Sequence, residues 1–418
     1  RQAGETVSLP LEDYVAAVLA GEAGPYTGDA LRAVAVAART YAVRFAGRHR
    51  AEGFDFCETT HCQDAQTRGV TDRHRAAAAE TEGELLWHNG SPAAAYYTRN
   101  CGGRSESAAA VWGEAAPYLV SRADEFCPRQ EWDARIAKSD LGSTSLAVIA
   151  RTPSGRVARV RLGPKPMSAP SLRFAIGRSL GWSLVRSDWW DVRDEGDFLS
   201  FHGRGWGHGV GLCQEGAARR NRPYREILAH YYPGTILGLT AQGLGWRHFG
   251  GERVDLQATR PEPALLVAAD RAADDVESAS GLRFAVRPRV HLYPTVATFR
   301  DATGEPGWVA ASTRAGVVRL QPSARSPQTL KHELAHVLIE SRARAGAPLW
   351  LREGLARHLA GERARSTDPP PLDDTFARAR GQHELRRLHD AALAAVQRRI
   401  ARDGLAAAIA ELVEFNRN

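Results

Sequence analysis

His332 and His336 stand four residues apart in His332-Glu333-Leu334-Ala335-His336. On a helix that spacing projects both rings from one face, where their nitrogens can share a tetrahedral zinc ion. Glu333, beside them, is placed to take a proton from a water activated there. A third protein ligand would leave one position open, and Glu353 supplies it, one turn into a helix that begins at Pro348. Two histidines, a glutamate and an open position are a ligand set of catalytic zinc centres. The plain alternative is a chance match on an alanine- and leucine-rich helix. Against it stand Ser326-Pro327 as a helix cap and an apolar strand at 317–321. His383 and His389, six apart, fall on different helix faces and read as part of a solvated helix; His358 is given no role.

Glu22 offers a second chemistry. It follows a first helix in Ala20-Gly21-Glu22-Ala23-Gly24-Pro25. The partial negative charge at a helix C-terminus disfavours a carboxylate and raises its pKa. A carboxyl group protonated near neutrality is what a glycosidic general acid requires. Its ordinary alternative is a solvated loop glutamate. Cys57, His61 and Cys62 form a tight cluster with metal-ligand chemistry. A disulfide between Cys57 and Cys62, or from either to Cys101 or Cys127, competes with a metal. Cys213 is expected as a small core residue. Glycine at alternate positions across 203–211 lacks the spacing of a phosphate-cradling loop. It reads instead as a tight turn where a glycan chain or backbone passes closely.

These residues need a scaffold. At 418 residues the chain is too long for one ordinary core, so two or more domains are expected. Hydrophobic residues at 43% and charged residues at 25% exclude wholesale disorder. No apolar run approaches the roughly 20 residues of a membrane-spanning helix. Lysine plus arginine, 55, against aspartate plus glutamate, 48, leaves +7, with Lys138, Lys165 and Lys331 the only lysines. The arginines are spread and not gathered in blocks, which argues against a nucleic-acid partner and is compatible with an anionic polymer. A GC-rich coding sequence is the blander explanation. A chain that opens at Arg1 is compatible with a removed leader.

Leu11, Tyr14, Val15, Val18 and Leu19 recur at helical spacing after Pro10, and Leu31, Val34, Ala35, Ala38, Tyr41 and Phe45 make a second amphipathic helix with Asp29 as its cap. Short β segments follow from 84 to 233, at 93–98, 146–151, 156–162 and 197–203. Glycines and prolines across 238–263 break the pattern. Beyond them a helix (265–278), strands (290–293 and 317–321) and further helices run to the end. The fold class is therefore α+β. A mixed α+β domain (1–240) and a linker (241–262) precede a mainly helical domain with a small sheet (263–418), its helical tail set off by a Pro-rich break at 368–372.

Two resemblances add to this reading. His332-Glu333-Leu334-Ala335-His336 followed by Trp350-Leu351-Arg352-Glu353-Gly354-Leu355-Ala356 resembles, over about residues 263–361, the gluzincin peptidases of the peptidase MA-like family. That implies zinc-dependent peptide hydrolysis. Pro10, Tyr14 and Gly21-Glu22, then Arg39-Thr40-Tyr41, Cys57-Glu58-Thr59-Thr60-His61-Cys62-Gln63, Tyr96-Tyr97 and Cys101-Gly102-Gly103 resemble the stage II sporulation protein D / amidase enhancer family. So do Val111-Trp112-Gly113, Gly207-His208-Gly209-Val210-Gly211, Gln214 and His230-Tyr231-Tyr232-Pro233-Gly234, all in order over about residues 7–237. This resemblance implies lytic transglycosylase activity on peptidoglycan, favouring peptide-stripped glycan strands, in an extracytoplasmic setting. It implies Glu22 as acid/base, Arg39, Tyr97 and Tyr231 around the cleft, and a structural zinc at Cys57, His61 and Cys62 with His49 from just upstream. The amidase-enhancer branch implies the alternative of a glycan-binding module that serves an amidase or targets the peptidase to the wall.

Overall fold

The computed structural model describes residues 5–57, 61–344, 346–379 and 381–414. The chain divides into two compact units, Arg1–Gly245 and Trp246–Asn418. Glu58, Thr59 and Thr60, within the cysteine block, lie outside the described residues.

The first unit opens with α1 (Leu11–Glu22) and α2 (Gly28–Phe45). The face of α1 from Val15 to Leu19 is buried, and α2 is buried on nearly every side from Ala30 to Ala42. Alanines at 33, 35, 37 and 38 make that possible, because small side chains let α1, α3 (Asp72–Glu80) and strand β1 (Leu85–His88) approach closely. Asp29 is not the α2 cap: Thr27 holds that place, and the Asp29 carboxylate accepts from Arg32 and from the Tyr224 amide.

Next come β2 (Ser91–Pro92), β3 (Tyr97–Thr98) and α4 (Ala108–Trp112). The strand expected at 93–98 shrinks to Tyr97–Thr98, because Ala93–Ala95 is packed into the helical core rather than paired. A second core lies under β4 (Glu131–Ala137), β5 (Leu146–Arg151), β6 (Val157–Leu162), β7 (Lys165–Ser168), α5 (Ala169–Leu180), β8 (Trp190–Glu195) and β9 (Phe198–Arg204). These strands form two three-stranded antiparallel sheets, β4-β9-β8 and β5-β6-β7. The chain then returns through β10 (Leu212–Cys213), parallel to β3, and through α6 (Gln214–Arg220), α7 (Tyr224–Tyr231) and β11 (Ile236–Gly238).

The second unit is built on a five-stranded sheet. Its strands are β12 (Arg247–Gly250), β13 (Asp255–Ala258), β14 (Arg289–Leu292), β15 (Ala311–Arg314) and β16 (Val317–Leu320), in the order β12-β13-β14-β16-β15. The inner strands β13, β14 and β16 are parallel and the two edges antiparallel. Two of these strands, β12 and β13, occupy the segment read from sequence as a linker. Helices α8 (Pro263–Ser280) and α10 (Pro327–Glu340) bury apolar faces against the sheet. The other helices are α9 (Val296–Thr303), α11 (Leu349–Leu359), α12 (Asp373–Arg378), α13 (Gln382–Asp403) and α14 (Leu405–Glu414). Gly354 lets α11 meet α13 closely: a Cβ there would lie 2.5 Å from the Ala392 carbonyl oxygen and from Val396 Cγ2. Among the described residues no helix is long and apolar enough to cross a membrane.

Candidate functional sites

Glu22 is the last residue of α1 and lines a cavity of about 790 Å³ in the first unit. Tyr96, Tyr97, Trp112, Phe174, Trp182 and Trp206 give the cavity aromatic walls, and Arg48, Arg99, Arg173 and Arg186 make it cationic. The Glu22 carboxyl accepts from the Asp64 amide at 2.6 Å and from the Tyr97 hydroxyl. Behind Tyr97 the chain of donors continues, because Gln63 Nε2 donates to its hydroxyl at 3.0 Å and the Tyr14 hydroxyl donates to Gln63 Oε1 at 3.0 Å. Burial pushes the Glu22 carboxyl up to about 7; the two hydrogen bonds oppose the shift and the nearby Asp64 charge adds to it. The helix end was the cause inferred from sequence, whereas desolvation is the larger one.

Gly21 makes the Asp64 contact possible. A Cβ at that position would lie 2.0 Å from the Asp64 carbonyl oxygen. Asp64 and Gln63 received no role from sequence, although both adjoin Cys62 in a motif already singled out. His208 also lines the cavity, and burial holds its imidazole down to about 3, hence neutral.

Of the three residues expected around the cleft, Tyr97 is there. Arg39 is not: it is fully buried on α2, its guanidinium held by both oxygens of Glu12, by Thr81 and by the carbonyls of Ala78 and Glu84. Those partners use its donors, so it serves as the salt bridge weighed as its plainer reading. Tyr231 is also buried, 3% exposed, with its hydroxyl donating to Asp124 Oδ2 at 2.7 Å.

His49, Cys57, His61 and Cys62 converge, their ligand atoms all lying within 4.8 Å of one another. Cys62 Sγ is 3.3 Å from His49 Nε2 and 3.7 Å from His61 Nδ1, and Cys57 Sγ is 3.6 Å from His61 Nδ1. His49 Nδ1 meets Glu52 at 2.6 Å, which leaves Nε2 to face the thiols. None of the five cysteines forms a disulfide, and Cys101, Cys127 and Cys213 gather in a cluster of their own.

In the second unit α10 projects His332 and His336 toward Glu353 on α11, again within 4.8 Å. His336 Nε2 is 3.3 Å and His332 Nε2 3.6 Å from opposite oxygens of that carboxylate. Glu340 meets His336 Nδ1 at 3.2 Å and so fixes the ring. With both Nε2 atoms facing the Glu353 carboxylate, the three side chains form a donor set that could hold a cation. Glu333 lies beside them, pushed up to about 7 by burial, and accepts from the hydroxyl of Thr313 on β15 at 2.7 Å. His389 corrects the sequence reading: it lies 3.3 Å from Glu353, on the side of α13 that faces α11, while His383 is exposed as expected.

Residues 1–88 match the Stage II sporulation protein family. The chain is 30% identical over 246 residues to an uncharacterized protein of Brachyspira hyodysenteriae, a match covering 54% of this chain and 66% of that protein. It is 28% identical over 273 residues to the stage II sporulation protein D of Bacillus subtilis, covering 56% of this chain and 76% of the relative. Against the amidase enhancer of the same organism it is 26% identical over 272 residues, 50% of this chain and 38% of that protein. The N-terminal 88 residues thus carry a Stage II sporulation protein domain homologous to stage II sporulation protein D and to the amidase enhancer.

Proposed function

We propose that the first unit cleaves the glycan strands of peptidoglycan as a lytic transglycosylase, with Glu22 as the acid/base, in an extracytoplasmic setting. The observation that carries this reading is a glutamate held protonated near neutrality in an aromatic-walled, cationic cavity. The protonated carboxyl donates to the glycosidic oxygen as the C–O bond breaks. The resulting carboxylate then accepts the proton of the muramyl 6-hydroxyl as that oxygen closes on the anomeric carbon, so Glu22 ends as it began. Tyr97 and the Asp64 amide orient it, the aromatic rings pack on sugar faces, and the arginines attract an anionic polymer.

Removing a general acid costs about 10²–10⁴ in rate. Glu22→Gln should therefore nearly abolish release of soluble glycan from peptide-stripped peptidoglycan, and undiminished release would reject the assignment. The amidase-enhancer relative motivates a second reading, a glycan-binding module that activates or targets a partner amidase. Under it Glu22→Gln leaves amidase stimulation intact and no glycan is released by either protein.

For the second unit the proposal is a zinc-dependent peptidase. His332, His336 and Glu353 would hold the ion, which when bound supplies Lewis-acid polarisation of a peptide carbonyl. Glu333, held by Thr313, takes the proton of the attacking water and passes it to the leaving amine. Glu333→Gln should stop peptide cleavage while zinc stays bound; cleavage at the native rate would exclude that role.

A further inference from the structure

Cys101, Asp124, Cys127 and Cys213 come from four separate positions in the first unit, yet their ligand atoms all lie within 4.8 Å of one another. All four side chains are buried, none more than 5% exposed. A tetrahedron of zinc–sulfur bonds places its corners about 3.8 Å apart, so the cluster needs only a small contraction to close on one ion.

The Asp124 carboxylate points to what the cluster is for. Its Oδ2 accepts from the Tyr231 hydroxyl at 2.7 Å and lies 3.5 Å from Cys101 Sγ. Its Oδ1 is buried with no hydrogen-bond partner. An unpartnered carboxylate oxygen in a core is costly unless something else satisfies it. A disulfide between any two of the sulfurs would leave that oxygen, and the third thiol, as they are. A cation uses all four groups. The Cys101 and Gly216 amides each donate to Cys213 Sγ at 3.3 Å, which fixes that sulfur in place.

We propose that Cys101, Cys127, Cys213 and Asp124 bind one zinc ion as a structural site, distinct from the His49–Cys62 cluster and from the peptidase centre. Three thiolates and one carboxylate form a closed, borderline-soft tetrahedral set, suited to a structural rather than a catalytic ion. The three thiol protons leave as the ion binds. Tyr231, whose hydroxyl donates to Oδ2, then acts as a positioning residue that fixes the Asp124 carboxylate beside the three sulfurs. The site ties the loop from Cys101 to Cys127 to β10, whose Cys213 pairs with Thr98 of β3 next to Tyr97. It therefore braces one wall of the Glu22 cavity from behind.

The test is zinc content per chain, measured by elemental analysis on the full chain and on Cys213→Ser and Asp124→Asn. Each variant should hold one zinc fewer than the parent, and Asp124→Asn, of the same shape, keeps the Tyr231 hydrogen bond. Peptide mapping of the parent under non-reducing, denaturing conditions reads the same site without any variant having to fold. It should find Cys101, Cys127 and Cys213 as thiols once the metal is chelated. Unchanged zinc in both variants, or a disulfide joining any two of the three, overturns the site.

Discussion

The amide of Asp64 donates to Glu22 Oε1 across 2.6 Å, and Asp64 lies two residues beyond Cys62. The carboxyl proposed as acid/base at the end of α1 is thus held by the segment that carries the His49–Cys62 cluster. Gln63, between them, reaches the same carboxyl through Tyr97. A metal ion bound by that cluster would fix the Cys62-Gln63-Asp64 segment and with it both hydrogen bonds to Glu22.

Removing that constraint should show in catalysis before it shows in folding. Cys62→Ser is expected to lower the zinc content of the chain by one and glycan cleavage by about ten-fold or more, since groups that orient a reacting side chain typically contribute on that scale. Elemental analysis beside a glycan-release assay checks this. Full activity in a chain that has lost the ion would separate the cluster from the site.

The raised pKa of Glu22 sets a pH profile. Glycan cleavage should require the protonated form and fall as pH rises through about 7. Stability follows the same sign: a carboxyl with a folded pKa of about 7 and an ordinary value of 4.5 binds more protons when folded, so its contribution is lost as pH rises between the two. Glu22→Gln should match the native chain in thermal denaturation at pH 4 and melt at higher temperature at pH 8.

Arg39 should behave as a core residue. Arg39→Ala leaves Glu12 facing a buried vacancy and is expected to cost about 3–5 kcal/mol, read by urea denaturation. What remains folded should cleave glycan with an unchanged KM. A raised KM at undiminished stability would return Arg39 to the cleft.

Gly354→Ala should loosen the α11–α13 contact and move Glu353, its neighbour, out of register with His332 and His336. A cost of about 1–3 kcal/mol is typical of overpacking at such a contact. Zinc affinity of the second unit should fall with it, while glycan cleavage by the first unit is untouched.

How far the sequence alone reached follows from the range over which each feature is decided. That His332, His336 and Glu353 converge was legible because helical spacing and a proline start are local signals, and the place of Glu22 because α1 ends where its residues say. Arg39 and Tyr231 could not be placed, since whether a side chain faces a cleft or a core depends on α1, α3 and the Asp124 loop packing around it. His389 was misjudged for the same reason: its spacing within α13 says nothing of α11 lying against that helix. The strands β12, β13 and β15 are each four residues long, too short to carry a period. Cys213 was expected in a core, and it is; that Cys101, Asp124 and Cys127 meet it there is set by tertiary structure alone.

The most direct measurement is mass spectrometry of the sugar ends released from purified peptidoglycan, intact and peptide-stripped, by the native chain and by Glu22→Gln. A second carboxylate, Asp64, lines the same cavity, so the chemistry of the ends also separates transglycosylation from hydrolysis. Ends closed as 1,6-anhydromuramyl sugars, produced by the native chain only, are the expected result. Reducing ends, or anhydro ends undiminished in Glu22→Gln, would contradict it.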